Sequence, residues 1–555
     1  FINGERVGTR QDDGSVVFDE LKPGYTHHSK RTIYHTYDVT QMVNGEEASV
    51  ISAHVTSGWW SGQVAGFYGK EEAFRAQLLL TYEDGSTRVI GTDRSWKTAL
   101  QGPILYGDIY NGETYDANAD LSFRQTGYDD SKWTYADLNK EFNGILCSQD
   151  GPSVRVRNDL ELTAQSAVVY RGVVDENENQ FGRINITGNY APVSGFILKA
   201  GETAVFDMGQ NFAGWDEIQA EGKKGTILTM RHSEMLNDNN GLKSRGNDGA
   251  QGSIYTANLR SAKAAGRYIM SGDGIESYHS TSSFYGFRYV EVTTTQDVTI
   301  NGMIGIVASF VKDDTGKIAI SDDDVNQLIS NILWGQYSNY RSVPTDCPQR
   351  DERKGWTADT QVFSSAAAYN ADSKGFLRKY MDDMNDSQVT EGEYNGAYPD
   401  TAPYNGYGEI GQLGWGDAGI IIPYNLYKMY GDATVIEENY SNMQDFMDIF
   451  MASTNKMGGG HNHGDWLAYE SNDDDIQNLF GIAYYAWDAA MMSEMAAVLG
   501  KTEDAMRYQA LYEEEKAFFQ EMFVQEDGSL KRTEQTACLM ALKMDLLPDE
   551  NSKAV

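Results

Sequence analysis

The hydrophobic pattern changes period near residue 312, and no single layer architecture accommodates what lies on both sides of the change. Upstream, short runs rich in β-branched and aromatic residues, such as Thr32–Val39, Ala76–Tyr82 and Tyr289–Thr294, alternate with the turn signals Asn3-Gly4, Asp13-Gly14 and Asp84-Gly85. Many short strands at that spacing predict sandwiches rather than a parallel sheet. A shift of texture around residues 148 to 165 places one boundary. The expectation is a β-sandwich over 1–147, with its start missing because FINGERVG reads as the middle of a strand and turn, and a second sandwich over 148–310.

Downstream, VNQLISNILWGQYSNYRS, GIIIPYNLYKMY, NMQDFMDIFMAS, GIAYYAWDAAMMSEMAAVLG and AMRYQALYEEEKAFFQEMF carry apolar residues at helical spacing. Asp322 to Asp324 and Asp473 to Asp475 put negative charge where two of these helices should begin. About eight helices joined by loops rich in glycine and aromatics predict an (α/α)6-type barrel over 311–555. Six hairpins need about twelve helices, so the barrel is expected to be its N-terminal part.

Composition narrows the function classes. The 81 acidic residues against 45 basic ones give a net charge of −36, a surface that repels phosphate backbones and anionic lipid, so nucleic-acid and membrane partners are rejected. No apolar run approaches the roughly 18 residues that cross a bilayer. Cys147, Cys347 and Cys538 are odd in number and far apart, which is neither a disulfide framework nor a metal-ligand spacing. His461 and His463 have H-x-H spacing without a third ligand, and Asp473 to Asp475 lack the alternation of a calcium loop, so no metal and no cofactor is expected. Gly69-Lys70 is followed by Glu71, no G-x-S-x-G is present, and the sequon at Asn185 decides nothing.

The densest chemistry lies in VPTDCPQRDERKGWTADTQVF, residues 343–363. Pro344 and Pro348 forbid a continuous helix through Asp346, and a helix can restart near Trp356 with Thr357 as cap and Asp359 in its first turn. The loop between presents Asp346, Arg350, Asp351, Glu352 and Arg353 together. Glycoside hydrolysis needs two carboxyl groups flanking the scissile bond, one protonated and one acting as base or nucleophile. A carboxyl crowded by other carboxylates is driven toward its neutral form, which suits the donor, and Trp356 offers an apolar wall. A lone DER tripeptide is ordinarily a solvated turn; the combination of prolines, acids, arginines and an indole is what points to a site.

DCPQRDERKGWTADTQVF resembles the signature segment of bacterial α-L-rhamnosidases of glycoside hydrolase family 78. FINGERVG, SGWWSG and GPILYGDIYNGETYDA resemble that family's N-terminal β-domain; VFDMGQNFAGW, RHSEML and FYGFRYVEV resemble the β-domain before its barrel; GWGDAGIIIPYNLYKMYGD and GDWLA are similar to barrel loops. The resemblance implies an inverting release of terminal α-L-rhamnose from a small-molecule or oligosaccharide rhamnoside. Glu352 would be the general acid, with Asp346 and Asp359 as acidic partners that bind hydroxyls and tune it. Arg350, Trp356, Trp415 and Trp466 would line the sugar pocket, with Asp417 and Asp465 as weaker contacts. Indoles suit the methyl group and apolar face of a 6-deoxy sugar, and charged side chains suit its hydroxyls. The family's base, a glutamate on a late barrel segment, is expected beyond residue 555; Glu470 and Asp473 are acids with only their nearness to Trp466 in their favour. Two other readings stand beside this one: a catalytically inactive rhamnoside- or carbohydrate-binding protein on the same fold, and a barrel enzyme of different chemistry such as a lyase. Aglycone, oligomeric state and compartment stay open.

Overall fold

The structure, a computed structural model, describes residues 1–43, 48–62, 68–100, 102–452 and 463–548, with side chains described throughout except at 450–452. It divides into two compact units: residues 1–312 with 318–353, and residues 313–317 with 354–555. The predicted order, strands first and helices second, is the one observed.

In the first unit the main sheet has 13 strands. Its central path runs Arg155–Val156, Val298–Ser309, Thr203–Glu221, Tyr285–Thr294, Ile227–Ser233, Ala265–Ile269, Gly112–Asp116, Ile104–Asp108. Phe206, Phe212, Trp215, Phe287, Val290 and Val292 fill the core from the two middle strands, which pair antiparallel. Such β-branched and aromatic side chains fit a pleated surface buried on one or both faces. The ladder between Gly112–Asp116 and Ala265–Ile269 is parallel, so strands from the first 150 residues are stitched into the sheet of the later β region. The change of texture near residue 148 is therefore not a break in the sheet.

Helix α1 (Asp323–Asn339) belongs to this unit and packs on strands Thr203–Glu221 and Val298–Ser309. Asp322 caps it, its carboxylate accepting from the Asp324 and Val325 amides at 3.0 and 3.2 Å, as the acidic run at its start predicts.

The second unit carries α2 (Thr357–Asn370), α3 (Lys374–Ser387), α4 (Ala418–Tyr430), α5 (Thr434–Ala452), α6 (Asp474–Val498), α7 (Thr502–Phe523) and α8 (Gln535–Lys543). Helix α4 packs against α2, α3, α5 and α6, and α6 against α7. That centrality explains why α4 is apolar on nearly every side, with Ala418 to Pro423 all buried. Asp473 caps α6 by accepting from the Ile476 amide at 3.1 Å. None of the described helices is long and apolar enough to cross a membrane.

Candidate functional site

The proline-bounded segment after α1 is held on the strand-rich unit by its own arginines. Arg353 is fully buried in the left-handed region at φ 48°. Its guanidinium donates to the carbonyls of Ile109 (2.8 Å), Phe284 (3.0 Å), Gln349 (3.1 Å) and Arg350 (3.1 Å), closing the loop on itself and onto two distant segments. Arg341 and Arg353 lie over the Phe284 ring at 4.3 and 4.7 Å, and burial lowers Arg341 to about 9. Pro348 approaches Gly286 so closely that a Cβ there would sit 2.7 Å from its ring, so this strand position admits only glycine without a shift. The Tyr110 hydroxyl donates to the Glu352 carbonyl at 3.1 Å.

These contacts present Glu352 and Asp346 with their carboxyls nearly buried, at 10% and 8% side-chain exposure. Arg350 links them, its Nε donating to Glu352 Oε2 at 2.8 Å and Nη2 to Asp346 Oδ2 at 3.2 Å. Arg260, from a loop of the later β region, donates to the same Glu352 Oε2. Guanidinium groups bond Glu352 directly, and the Asp346 carboxylate lies within 4.8 Å of it, linked through Arg350. Composition offered no signal for Arg260, since it lies 92 residues away in sequence.

Asp346, Cys347 and Glu352 each bring one ligand atom within 4.8 Å of the others. The set does not fit a resident cation. Two guanidiniums already sit on its carboxylates, and burial, then the charge of Asp346, pushes the Cys347 thiol up, away from the thiolate that a metal requires.

The remaining predicted residues lie in the second unit. Trp356 occupies the position before α2 without capping it by its side chain, so Thr357 is the first helical residue rather than the cap. Thr357 is pinned from the side instead, its amide and hydroxyl both donating to the Asp400 carbonyl at 2.8 and 2.9 Å. Trp356 meets the Tyr407 ring edge-on at 6.1 Å, and Asp359 stands exposed in the first turn of α2.

Trp415 and Trp466 flank His463, with ring centroids 4.6 and 5.6 Å from the imidazole. His463 Nε2 lies 2.9 Å from Asp400 Oδ2, a buried carboxylate that also accepts from the Glu409 amide at 2.9 Å. The structure thus joins Trp415 and Trp466 through His463, and ties His463 to Asp400, whose carbonyl holds Thr357 next to Trp356; the sequence reading placed neither Asp400 nor His463 in the site. His461 lies outside the described residues. Trp466 is 64% exposed, as a ring available for stacking must be.

Asp465 accepts from the Thr536 hydroxyl at 2.8 Å and its amide donates to Asn472. Asp417 is fully buried: its Oδ2 accepts from the Gly414 amide at 2.6 Å, so it braces the Trp415 loop from below. Glu470 accepts from the Gln535 amide at the start of α8, and Asp473 both caps α6 and pairs with Arg532 at 3.0 Å. These two acids have structural partners.

Strand-rich domains followed by paired helices make a multidomain architecture, with acids and guanidiniums on loops of the first unit and indoles on loops of the second. Three family models match in order: the α-L-rhamnosidase N-terminal domain over 1–158, the bacterial α-L-rhamnosidase concanavalin-like domain over 198–309, and the bacterial α-L-rhamnosidase 6 hairpin glycosidase domain over 313–555. An α-L-rhamnosidase of Streptomyces avermitilis is 35% identical over 568 residues, covering 100% of this chain and 48% of the relative. One from Formosa agariphila is 32% identical, covering 100% of this chain and 55% of the relative. The crystal structure of the Streptomyces avermitilis α-L-rhamnosidase complexed with L-rhamnose matches with a TM-score of 0.80 at 32% identity, covering 100% of this chain and 48% of that one. The chain belongs to the bacterial α-L-rhamnosidases of glycoside hydrolase family 78. It spans about half the length of the curated relatives it matches.

Proposed function

We propose that this protein releases terminal α-L-rhamnose from a rhamnoside by inverting hydrolysis, with Glu352 as general acid. Glu352 gives its proton to the glycosidic oxygen as the bond to C1 breaks. Water adds to C1 from the opposite face and loses its proton to a base, yielding rhamnose and the freed alcohol. Asp346 and Asp359 take sugar hydroxyls and tune the acid, Arg350 ties Asp346 to Glu352, and Trp356, Trp415 and Trp466 cover apolar sugar surface, with Asp465 as a further polar contact. Asp417 acts beneath the loop of Trp415 rather than on the sugar. The domain division that accompanies this reading is a β-sandwich over 1–147, a second over 148–310 and the barrel from 311.

The observation that carries the reading is Glu352 itself: a nearly buried carboxyl, fixed through its backbone by Tyr110 and through its side chain by Arg350, within a chain 35% identical to an α-L-rhamnosidase. Pre-organisation of that kind is what a proton donor needs. Glu352→Gln in the full-length protein should lower the rate on a rhamnoside with a poor leaving group by ~10² to 10⁴. Wild-type turnover by that variant would remove the assignment. The anomer first released, followed by NMR, tests inversion.

A further inference from the structure

We propose that Arg260 is a positioning residue for the Glu352 carboxyl, clamping the Asp351–Glu352 pair from the β region. The inference rests on the acid role given to Glu352 above.

Arg260 Nε bonds Asp351 Oδ1 at 2.9 Å while its Nη2 bonds Glu352 Oε2. Beside it, the Ser261 amide and hydroxyl hold the other Asp351 oxygen at 3.0 and 2.5 Å. The loop that delivers these groups is anchored: Leu259 and Ala262 are buried, the Ala264 amide donates to the Tyr110 carbonyl at 3.2 Å, and the Lys263 amide to Asn111 Oδ1 at 3.3 Å. Tyr110 thus fixes both the loop and the Glu352 carbonyl.

The backbone supplies a second, independent observation. Arg260 has φ 55° and ψ −114°, the conformation of the first central residue of a type II′ turn, where glycine is the ordinary occupant. A bulky residue held there is strained, and such strain collects at functional positions. Packing does not account for the arginine either, since its side chain is 47% exposed. What the side chain does in the structure is grip two acids.

Among the described ion pairs of this unit, the charged groups on Glu352 are Arg350 on its own segment and Arg260 across from it. Asp346 lies behind Arg350, Asp351 behind Arg260, the Cys347 thiol lies within 4.8 Å, and Glu234 acts on Arg350. Removing Arg260 takes away a cation that the described ion pairs place on Oε2, and with it a partner of the anionic carboxyl. A general acid works in its protonated form, and activity falls as pH rises through its titration. The basic limb of the kcat/KM profile should therefore move upward.

The test uses Arg260→Gln, Arg260→Gly and Arg260→Lys in the full-length protein, with a rhamnoside of poor leaving group. The Gln and Gly variants should shift the basic limb up by about one pH unit, the lower end of what loss of one adjacent opposite charge produces. The Lys variant, keeping a cation, should restore most of the wild-type position. Glycine relieves the φ of 55°, so Arg260→Gly should raise Tm while still moving the limb, which separates the clamp from any structural role. A basic limb that coincides with wild type in both the Gln and Gly variants would overturn the proposal. Glu352→Gln, run in parallel, reports separately: wild-type rates there would remove the acid role itself, whereas a dead Glu352→Gln with an unmoved limb removes only the part given to Arg260.

Discussion

Asp417→Asn should make the helical unit gain stability relative to wild type as pH rises from 4 to 7. Asp417 and Asp488 are both fully buried and act on each other electrostatically, with no cation on either among the described hydrogen bonds and ion pairs. Burial pushes Asp417 from the ordinary 3.8 up to about 6; burial, then the charge of Asp417, pushes Asp488 well above the usual carboxyl range. A carboxyl raised in the folded state binds its proton more tightly there than in the unfolded chain. Its contribution is full below about 3.8 and is lost as pH climbs through about 6. At ~1.4 kcal/mol per unit, the rise from 3.8 to about 6 corresponds to ~3 kcal/mol. Asparagine does not titrate, its oxygen can still accept the Gly414 amide, and its NH₂ can donate to Asp488. Whatever fixed steric cost the amide carries is the same at every pH. The difference between the two proteins should therefore swing by ~3 kcal/mol in favour of the variant, or ~6 to 12 °C in Tm for a unit of this size. Calorimetry of the full-length protein at pH 4, 5, 6 and 7 reads it directly. Titrating groups away from the pair, such as Asp383, which burial pushes up to about 7, are common to both proteins and cancel, whereas Asp488 loses the charge of Asp417 in the variant and moves the difference in the same direction. Parallel Tm curves would refute the reasoning. So would loss of rhamnose binding with an unchanged pH dependence, which would move Asp417 from beneath the loop to the sugar.

Two further outcomes test the packing. Lys379→Met leaves buried Asp383 without the amine now 2.6 Å away, and a broken buried pair costs ~3 to 5 kcal/mol; calorimetry should show the loss at pH 8 and a smaller one at pH 5, where Asp383 takes up a proton, and equal losses would contradict this. Arg353→Met strands four carbonyls now bonded to one guanidinium and should cost at least ~3 kcal/mol, with Arg353→Lys recovering only part because it lacks the planar fork; an unchanged Tm for the methionine variant would contradict this.

The fold was legible wherever periodicity was strong. Helices α1, α4, α5, α6 and α7 coincide with runs of apolar residues at helical spacing, and Asp322 and Asp473 do cap α1 and α6. Helix α3 was harder to see because Asp382, Asp383 and Asp386 interrupt its apolar face, and one of those acids is buried against Lys379. The start of α2 misled for a different reason: Thr357 looks like a cap, but its hydroxyl finds the Asp400 carbonyl, 43 residues on. Within the site, local sequence announced Asp346, Arg350 and Glu352 because two prolines and a cluster of charges lie together. Arg260, Asp400 and His463 were missed as site members for one shared reason. Each acts on a partner far away in sequence, and a single arginine, aspartate or histidine in a loop has no pattern of its own. The one local trace of Arg260 is its backbone, and φ cannot be read from residue type when the residue is not the glycine that the turn prefers.

The geometry also bears on what the β domains contribute to the segment that carries Glu352. The segment carrying Glu352 does not define its shape alone: it holds two prolines, two buried arginines and a residue at φ 48°, and Arg353 and Pro348 are seated against residues outside it. Those partners come from Ile109–Tyr110, from the Arg260 loop, and from Phe284 and Gly286. By the matched family models, the first belongs to the N-terminal domain and the other two to the concanavalin-like domain. Fourteen residues of irregular backbone, Tyr340 to Arg353, would otherwise need to order a carboxyl with no ladder or helix to do it. The strand-rich unit supplies that order, so under the proposed acid role its loops help to aim Glu352, and changes at residues 110, 260 or 284 should be felt at Glu352 before they are felt anywhere else.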